Sequence, residues 1–167
     1  DHARTTVLDA AVALCREVGY TNAGTVEFLV SGDDAWFLEM NTRLQVEHPV
    51  TEEVTGLDLV DWQLQVANGQ PLPRSQSDIT CTGHAIEVRV YSEDPYREFL
   101  PQTGQVRELI WPDNGTRIES GITQGTNVGT AFDPILAKVI VHRDSREAAI
   151  AALIAALDQT AILGVTT

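Results

Sequence analysis

The chain has little positive charge and no long apolar run. Its 167 residues include 24 acidic but only 11 basic side chains, a formal net charge of −13 at pH 7. Such a chain repels a phosphate backbone, so we expect no nucleic-acid partner. No stretch approaches the roughly 20 apolar residues that cross a bilayer, and no basic segment followed by an apolar one resembles a signal peptide. We therefore expect a soluble, cytoplasmic protein with no membrane partner.

Cysteine and methionine are also scarce. Cys15 and Cys81 stand alone without a CxxC pattern, which argues against a metal site or a disulfide framework and favours buried free thiols. Met40 is the only methionine, and the chain opens on Asp1 inside a helical pattern and stops abruptly at Thr167. We expect the chain to be an excised fragment.

The glycine-rich signatures of phosphate-binding and nucleophile loops are missing. The sequence contains no GxGxxG, no Walker A motif and no GxSxG. In a chain this acidic, an anionic ligand should therefore be accompanied by a metal cation.

The first 80 residues alternate between helical spacing and strand-favouring runs. His48-Pro49 disfavours helix at His48, so we interpret the segment around it as an ordered loop. Within this loop, Thr51 to Val54 could form one helical turn. Asp58 and Asp61 have N-cap and N3 chemistry, and Gly69 closes the helix that they open. The predicted elements are a helix over 4–18, a β-hairpin of Val26–Val30 and Trp36–Met40, a loop over 41–57, a helix from Asp58 to Gly69 and a linker over 70–80.

The second half has the pattern of an α+β fold built on an antiparallel sheet. From His84 to Tyr91, apolar residues alternate with Glu87 and Arg89, which predicts a strand with one buried and one charged face. Asp144 and Glu147 resemble a capping box. The other predicted elements are strands over 105–111, 116–120 and 135–142 and a helix over 146–158.

Two carboxylates should face each other in the hairpin. If its turn centres on Asp33, residues whose numbers sum to 66 are opposite, which pairs Glu27 with Glu39. Like charges in that position are destabilising unless a cation lies between them, and Mg²⁺ is commonly held by one or two carboxylates. Asn41, two residues further on the same face, could add a carbonyl oxygen. Spacing alone leaves a solvated face with Lys or Arg neighbours equally open.

Arg43, Gln45 and Glu47 alternate along what we expect to be one short extended stretch. A guanidinium offers two parallel donors to a carboxylate-like anion, and a nearby carboxylate can act as a general base. The alternative is a surface loop with an i to i+4 ion pair.

Arg89 either stabilises an anion or pairs with Glu87, and the spacing does not choose between these roles. No histidine has partners at ligand spacing.

The run Glu39–Glu52 has the sequence EMNTRLQVEHPVTE. It closely resembles the signature of biotin carboxylases, the ATP-grasp component of biotin-dependent carboxylases. This likeness implies the C-terminal part of an ATP-grasp domain over residues 1–72 and a biotin carboxylase C-terminal domain over 73–167. Residues 135–138 and 161–165 look most like acyl-CoA carboxylase α-subunits. Further matching runs are Gly24–Phe28, His84–Arg89, Glu93–Pro95, Phe99–Pro101 and Asp133–Lys138.

The resemblance also assigns roles to individual residues. It implies that Glu27, Glu39 and Asn41 hold Mg²⁺ (or Mn²⁺) on ATP, and that Leu29 lies against adenine. It implies further that Arg43, Gln45 and the Val46 backbone bind bicarbonate, that Glu47 is the general base, and that Arg89 stabilises the biotin enolate.

The implied activity is ATP- and bicarbonate-dependent carboxylation of biotin. The implied partners are a biotin carboxyl carrier protein or domain, a carboxyltransferase subunit and a possible homodimer. Because the lysines that grip ATP in the family are not in this chain, we expect the chain alone to be inactive and to bind ATP weakly or not at all. Three alternatives stay open: another ATP-grasp ligase acting on a carboxylate or amine, a urea or pyruvate carboxylase component, and a non-enzymatic docking module.

Overall fold

The computed structural model describes residues 2–113 and 115–167; Asp1, where we expected the chain to open inside a helical pattern, lies outside the described residues. The described residues form two compact units. The first comprises the residues up to His48 and Gly56–Ile79, and the second comprises Pro49–Thr55 and Thr80–Thr167. The expected domain boundary between residues 72 and 73 stays a prediction.

The mixture of helices and antiparallel strand pairs confirms the expected α+β class. Among the described residues, no helix has both the length and the apolar character needed to cross a membrane. The helices are α1 (His2–Glu17), α2 (His48–Thr55), α3 (Leu59–Ala67) and α4 (Arg146–Asp158). The strands are β1 (Thr25–Ser31), β2 (Asp34–Asn41), β3 (His84–Tyr91), β4 (Glu93–Asp94), β5 (Leu100–Pro101), β6 (Gly104–Gln105), β7 (Glu108–Ile110), β8 (Arg117–Ser120), β9 (Asn127–Val128), β10 (Ile135–Arg143) and β11 (Ala161–Leu163).

The helices of the first unit begin and end close to the residues that their sequence signals predict. α1 stops before Gly19, whose φ of +64° lies in the left-handed region that glycine adopts without steric cost. The carboxylate of Asp58 caps α3 by accepting a hydrogen bond of 2.8 Å from the backbone N–H of Asp61. Both helix predictions in this unit are therefore confirmed to within two or three residues.

The hairpin β1–β2 has two faces of different character. Val26 and Phe28 of β1 belong to the inner face, where Phe28 meets Phe37 edge to face with ring centroids 6.4 Å apart. Val26 and Cys15 of α1 line the same cavity of about 460 Å³, so α1 lies on this side. Thr25, Glu27 and Leu29 alternate with these residues and belong to the opposite face.

The predicted loop over 41–57 is wrong in its second half, because α2 begins at His48. A proline in the first turn of a helix removes an N–H that has no intrahelical partner, so Pro49 is tolerated there. The linker over 70–80 also contains ordered structure, a short 3₁₀ turn at Gln76–Asp78 that Ser75 and Asp78 close reciprocally.

The second unit contains every fully buried residue of the described part of the chain. Its sheet has the order β3–β10–β8, all antiparallel, with β10 in the centre. Val139 and Val141 of β10 pack against Ala149, Leu153 and Ala156, which lie on the inner side of α4. Val139, Ile140 and Val141 are consecutive and all buried, which fits the central position of β10 and its nearly continuous apolar sequence.

A second small core lies beside this sheet. Val106, Ile122 and Leu136 are buried there against apolar residues from β7, β9 and β11. The predicted strand over 105–111 is wrong as a single element. The backbone N–H of Val106 bonds to Thr126, whereas that of the next residue, Arg107, bonds to Leu163. The chain changes partner at this point and forms two short strands, β6 and β7.

Two smaller predictions in the second unit also need correction. The N-cap of α4 is Ser145, whose hydroxyl accepts from the backbone N–H of Ala148 at 3.2 Å, and Asp144 lies one residue too early. The cysteines are free, but they are not buried: Cys15 is half-buried, and Cys81 is exposed in the segment that precedes β3. β3, β8, β10 and α4 otherwise match their predicted bounds to within one residue.

Candidate functional site

The outer face of the hairpin carries two carboxylates and an amide in contact. Glu27 and Glu39 are direct partners in the antiparallel ladder. The side-chain N–H₂ of Asn41 donates to Glu27 Oε1 at 2.8 Å and to Glu39 Oε1 at 3.4 Å. We call Glu27, Glu39 and Asn41 the acidic triad. The structure thus brings together three side chains that the sequence placed on one strand face.

The chemistry of the triad suits a hard divalent cation. Carboxylate and amide oxygens are the ligands that Mg²⁺ prefers, and two like charges in adjacent ladder positions favour a cation between them. Asn41 presents its nitrogen to the carboxylates, so binding a metal requires a half-turn of the amide that exchanges nitrogen for oxygen. The residues present fit the metal that the sequence predicts.

An apolar surface adjoins the triad on the same face. Leu29 follows Glu27 by two residues, about 7 Å along the strand, and is 64% exposed. Its ladder partner is Trp36, which is 51% exposed. An aromatic ring and an aliphatic side chain side by side offer a flat apolar surface of the kind on which a planar ring can lie.

The segment after β2 holds an arginine and a glutamine in contact. Arg43 Nη1 donates to Gln45 Oε1 at 2.9 Å and to the backbone oxygen of Leu44 at 3.2 Å. Arg43 is exposed and Gln45 is half-buried, so the guanidinium keeps donors that face solvent. Donors of this kind can bind a small anion.

The expected extended stretch is not formed, because β2 ends at Asn41 and the chain bends at Arg43. Val46 and Glu47 form a turn that leads into α2, which breaks the alternation that we predicted as far as Glu47. The backbone oxygen of Gln45 closes the turn: it lies 3.3 Å from the backbone nitrogen of His48 and 2.7 Å from His48 Nδ1. Glu47 is exposed, and its orientation is set by this turn instead of by a strand.

In the second unit, one face of the sheet carries the charges. Arg89 of β3 is the ladder partner of Lys138 of β10, which in turn is the partner of Glu119 of β8. The next row consists of Glu87, Ile140 and Arg117. Arg89 is exposed, as its alternation with Val88 and Val90 predicts, and its Nη1 donates to the hydroxyl of Tyr91 at 3.2 Å.

Arg117 is the centre of an ion cluster on this face. Its Nη2 contacts Glu52 Oε2 at 2.7 Å and Glu119 Oε1, and its Nη1 contacts Glu53 Oε1 at 3.3 Å. Lys138 Nζ lies 2.5 Å from the other oxygen of Glu119. Partial burial alone would lower the pKa of Arg117, but its hydrogen bonds to Glu52, Glu119 and Glu53 raise it above the ordinary value.

This cluster was not predicted from the sequence. Arg117 and Glu119 are two residues apart on a predicted strand, so their common face was visible, but their partner Glu52 is 65 residues from Arg117 in the chain. Glu52 also lies in the segment that we predicted as a loop. The ladder of β1 and β2 was also predicted incompletely. Its turn lies at Gly32 and Asp33 instead of centring on Asp33, and Glu39 becomes the partner of Glu27 only through a one-residue register shift between Glu27 and Phe28, which the residue types do not indicate.

Two family models cover most of the chain. Residues 1–75 match "Carbamoyl-phosphate synthase L chain, ATP binding domain", and residues 87–167 match "Biotin carboxylase C-terminal domain". The first match contains the acidic triad and the Arg43–Gln45 pair, and the second contains Arg89 and Arg117.

Several known proteins are similar over nearly the whole chain. The mitochondrial methylcrotonoyl-CoA carboxylase subunit alpha of Dictyostelium discoideum is 48% identical over 162 residues, 95% of this chain and 23% of the relative. A biotin carboxylase of Halalkalibacterium halodurans is 50% identical over 159 residues, 94% of this chain and 35% of the relative. The chain therefore spans about a quarter to a third of the length of these relatives.

A solved structure confirms the fold. The biotin carboxylase domain dimer of Hydrogenobacter thermophilus 2-oxoglutarate carboxylase, in complex with MgADP, ADP and bicarbonate, matches with a TM-score of 0.88 at 40% identity. The match covers 93% of this chain and 35% of that one. The chain thus combines part of an ATP-binding domain in its first half with a biotin carboxylase C-terminal domain in its second half, and biotin carboxylases are among its relatives.

Proposed function

We propose that this chain carries part of the active site of the biotin carboxylase component of an acyl-CoA carboxylase. The reaction is the ATP- and bicarbonate-dependent carboxylation of biotin on a carrier protein. The observation that carries this proposal is the sequence of sites along one short segment: the acidic triad ends at Asn41, and the Arg43–Gln45 pair follows within four residues. A metal-bound phosphate and a small anion are thereby offered adjacent positions on the same chain.

The acidic triad is proposed to hold Mg²⁺ or Mn²⁺ on ATP. Glu27 and Glu39 supply carboxylate oxygens from neighbouring strands, and Asn41 supplies its amide oxygen after the half-turn described above. The metal, when bound, neutralises charge on the phosphates and so favours attack on the γ-phosphorus. Leu29, beside the exposed ring of Trp36, is proposed to contact the adenine ring.

Bicarbonate is proposed to bind at Arg43 and Gln45, with the backbone N–H of Val46 as a further donor. The guanidinium can hold two oxygens of the anion, and a backbone N–H in the turn before α2 adds a fixed dipole. Glu47 then acts as the general base that takes the proton of bicarbonate. The deprotonated oxygen attacks the γ-phosphorus, ADP leaves, and carboxyphosphate forms, which breaks down to CO₂ and phosphate.

Arg89 is proposed to stabilise negative charge on the carbonyl oxygen of the ureido group of biotin. That charge develops when the released phosphate removes the ureido proton, and a cation placed beforehand lowers the cost of its formation. The support is that Arg89 is exposed, contacts the Tyr91 hydroxyl and is the ladder partner of a second cation, Lys138.

The partners and location follow as further proposals. A biotin carboxyl carrier protein or domain presents biotin, and a carboxyltransferase subunit uses the product. The Hydrogenobacter structure is a dimer of biotin carboxylase domains, which supports a homodimer here. We infer a cytoplasmic location, although the Dictyostelium relative is mitochondrial. Relatives named for methylcrotonoyl-CoA and for 2-oxoglutarate are both similar, and an assay with both acceptors tests the acyl-CoA assignment.

The test is an ATPase assay of the full-length protein with Mg²⁺. We expect ATP hydrolysis that requires bicarbonate and is stimulated by free biotin, with ¹⁴C from bicarbonate transferred to biotin. Hydrolysis that instead requires an amino acid or another carboxylate would replace this proposal with a different ATP-grasp ligase. No hydrolysis with any of these substrates would favour a docking role.

A further inference from the structure

The ion cluster of the second unit links two elements that are distant in sequence. Arg117 lies on β8, in the antiparallel sheet, whereas Glu52 and Glu53 lie on α2. The contacts of 2.7 Å to Glu52 and 3.3 Å to Glu53 use different nitrogens of the guanidinium. A planar fork with several donors can hold two neighbouring carboxylates at once, which the single ammonium of a lysine does less well.

Glu52 is buried, and this makes the contact with Arg117 significant. The side chain of Glu52 is 6% exposed, and Glu52 and Ser92 are the two buried polar residues in the described part of the chain. A buried carboxylate is costly unless a cation and hydrogen bonds compensate for its lost hydration. The Glu52–Arg117 contact therefore constrains the position of α2 far more than an exposed ion pair would.

Other contacts hold α2 on both sides of Glu52. Pro49, in the first turn, is fully buried. Near the other end, the backbone oxygen of Val54 accepts from the backbone N–H of Thr82 at 2.8 Å. A helix of eight residues that is fixed along its length in this way has little freedom to shift or to rotate.

α2 is also the direct continuation of the segment with the anion-site residues. The helix begins at His48, and both the backbone nitrogen and Nδ1 of His48 meet the backbone oxygen of Gln45. Val46 and Glu47 lie inside this turn. A shift of α2 would thus be passed along the backbone to the general base and to the glutamine.

We propose that Arg117 is a positioning residue for bicarbonate activation: by holding Glu52 and Glu53, it fixes α2 and with it the turn that carries Gln45 and Glu47. This inference rests on the proposed function. Arg117 contacts no substrate in this role, because it acts through the helix.

The experiment measures the KM for bicarbonate and the KM for MgATP in the full-length protein. We compare Arg117→Gln, which removes the charge, with Arg117→Lys, which keeps it. Arg146→Gln, which changes an exposed arginine at the start of α4, is the matched control.

We expect Arg117→Gln to raise the KM for bicarbonate, or to lower kcat/KM for bicarbonate, by roughly 10- to 100-fold, as a small misplacement of a reacting group does. The KM for MgATP should stay within about twofold, because the acidic triad lies on the hairpin. Arg117→Lys should recover part of the loss.

A lower melting temperature with unchanged kinetics for bicarbonate would overturn the inference and leave Arg117 a purely structural residue. If Arg117→Gln does not fold, Glu53→Gln provides the milder test, since it removes only the 3.3 Å contact. It should change the bicarbonate kinetics in the same direction, and unchanged kinetics would again count against the proposal. A wild-type enzyme that does not use bicarbonate would refute the proposed function instead.

Hydrogen exchange supplies a readout that is independent of activity. In Arg117→Gln, the amides of residues 50–55 in α2 should exchange faster than in the wild type, whereas those of α4 should be unchanged. Equal exchange in α2 would show that Arg117 does not hold this helix, and the inference would fail.

Discussion

Glu39 faces Glu27 across the hairpin because Leu38 is an extra residue in β2. From the turn to the pair Phe28–Phe37, the partners follow a two-residue connection at Gly32 and Asp33. The register then shifts by one, so that Glu27 pairs with Glu39 and Leu38 has no direct partner. Without this bulge, alternation would place Glu39 on the same face as Phe37, away from Glu27. The acidic triad therefore depends on a single irregularity in the strand.

The first prediction concerns the metal. Glu39→Gln in the full-length protein should raise the Mg²⁺ concentration needed for half-maximal ATP hydrolysis by at least the roughly 10- to 100-fold that loss of an outer-shell partner causes. In the metal-free chain, the same change removes a like-charge pair and should stabilise the fold by about 0.5 kcal/mol. Activity is followed in a Mg²⁺ titration, and stability by denaturant unfolding. Asp34→Asn, at the tip of the same hairpin, is the control and should change neither; an unaltered Mg²⁺ requirement in Glu39→Gln would argue against the site.

The second prediction concerns the general base. Glu47→Gln keeps the shape of the side chain but cannot take a proton, so bicarbonate-dependent ATP hydrolysis should fall by about 10²- to 10⁴-fold. Arg43→Ala should raise the KM for bicarbonate, because it removes the cation of the anion site. Glu17→Gln, an exposed carboxylate at the end of α1, is the matched control. Normal turnover in Glu47→Gln with an intact fold would remove Glu47 from this role.

The third prediction concerns acid stability. Burial would raise the pKa of Glu119, but its hydrogen bonds with Lys138 and Arg117 and their charges hold the pKa below the ordinary value of 4.5. A carboxylate with a lowered folded-state pKa stabilises the fold above 4.5 and loses that contribution as the pH falls through the folded-state pKa. The free energy of unfolding should therefore decrease as the pH drops below 4.5. Glu119→Gln should make this decrease shallower, whereas Glu108→Gln, which changes an exposed carboxylate on β7, should not. Denaturant titrations at several pH values provide the comparison. Identical slopes of unfolding free energy against pH for both variants would contradict the prediction.

The fourth prediction concerns two glycines of the second unit. Gly164 has a φ of +105°, and a Cβ at this position would lie 2.0 Å from the backbone oxygen of Gln105. Gly164→Ala should therefore destabilise the fold by more than about 2 kcal/mol. At Gly129 a Cβ meets nothing within 4 Å, so Gly129→Ala should change stability by no more than about 0.5 kcal/mol. Thermal or denaturant unfolding of the two variants decides the matter, and similar stabilities would show that the backbone at Gly164 can adapt.

Much of the secondary structure was predictable because its signals are local. The spacing of apolar residues before Gly19, the cap at Asp58 and the alternation around Arg89 each depend on neighbours within a few residues. The strand over 105–111 failed for the opposite reason. Val106 and Arg107 bond to two different strands, and the identity of a strand's partner is not recorded in its own residues.

By itself, the sequence determined which residues are available for chemistry and how some of them are placed: Glu39 and Asn41 share one face of a strand, Arg43 and Gln45 follow it closely, and Arg89 lies apart from the apolar face of its strand. Only the tertiary structure decided which of them meet. The bulge at Leu38 aligns Glu39 with Glu27, and the packing of α2 brings Glu52 to Arg117 across 65 positions of the chain. The physical reason is that side-chain alternation is a property of each strand, whereas register and ion pairing between distant segments follow from the lowest free energy of the whole packed unit.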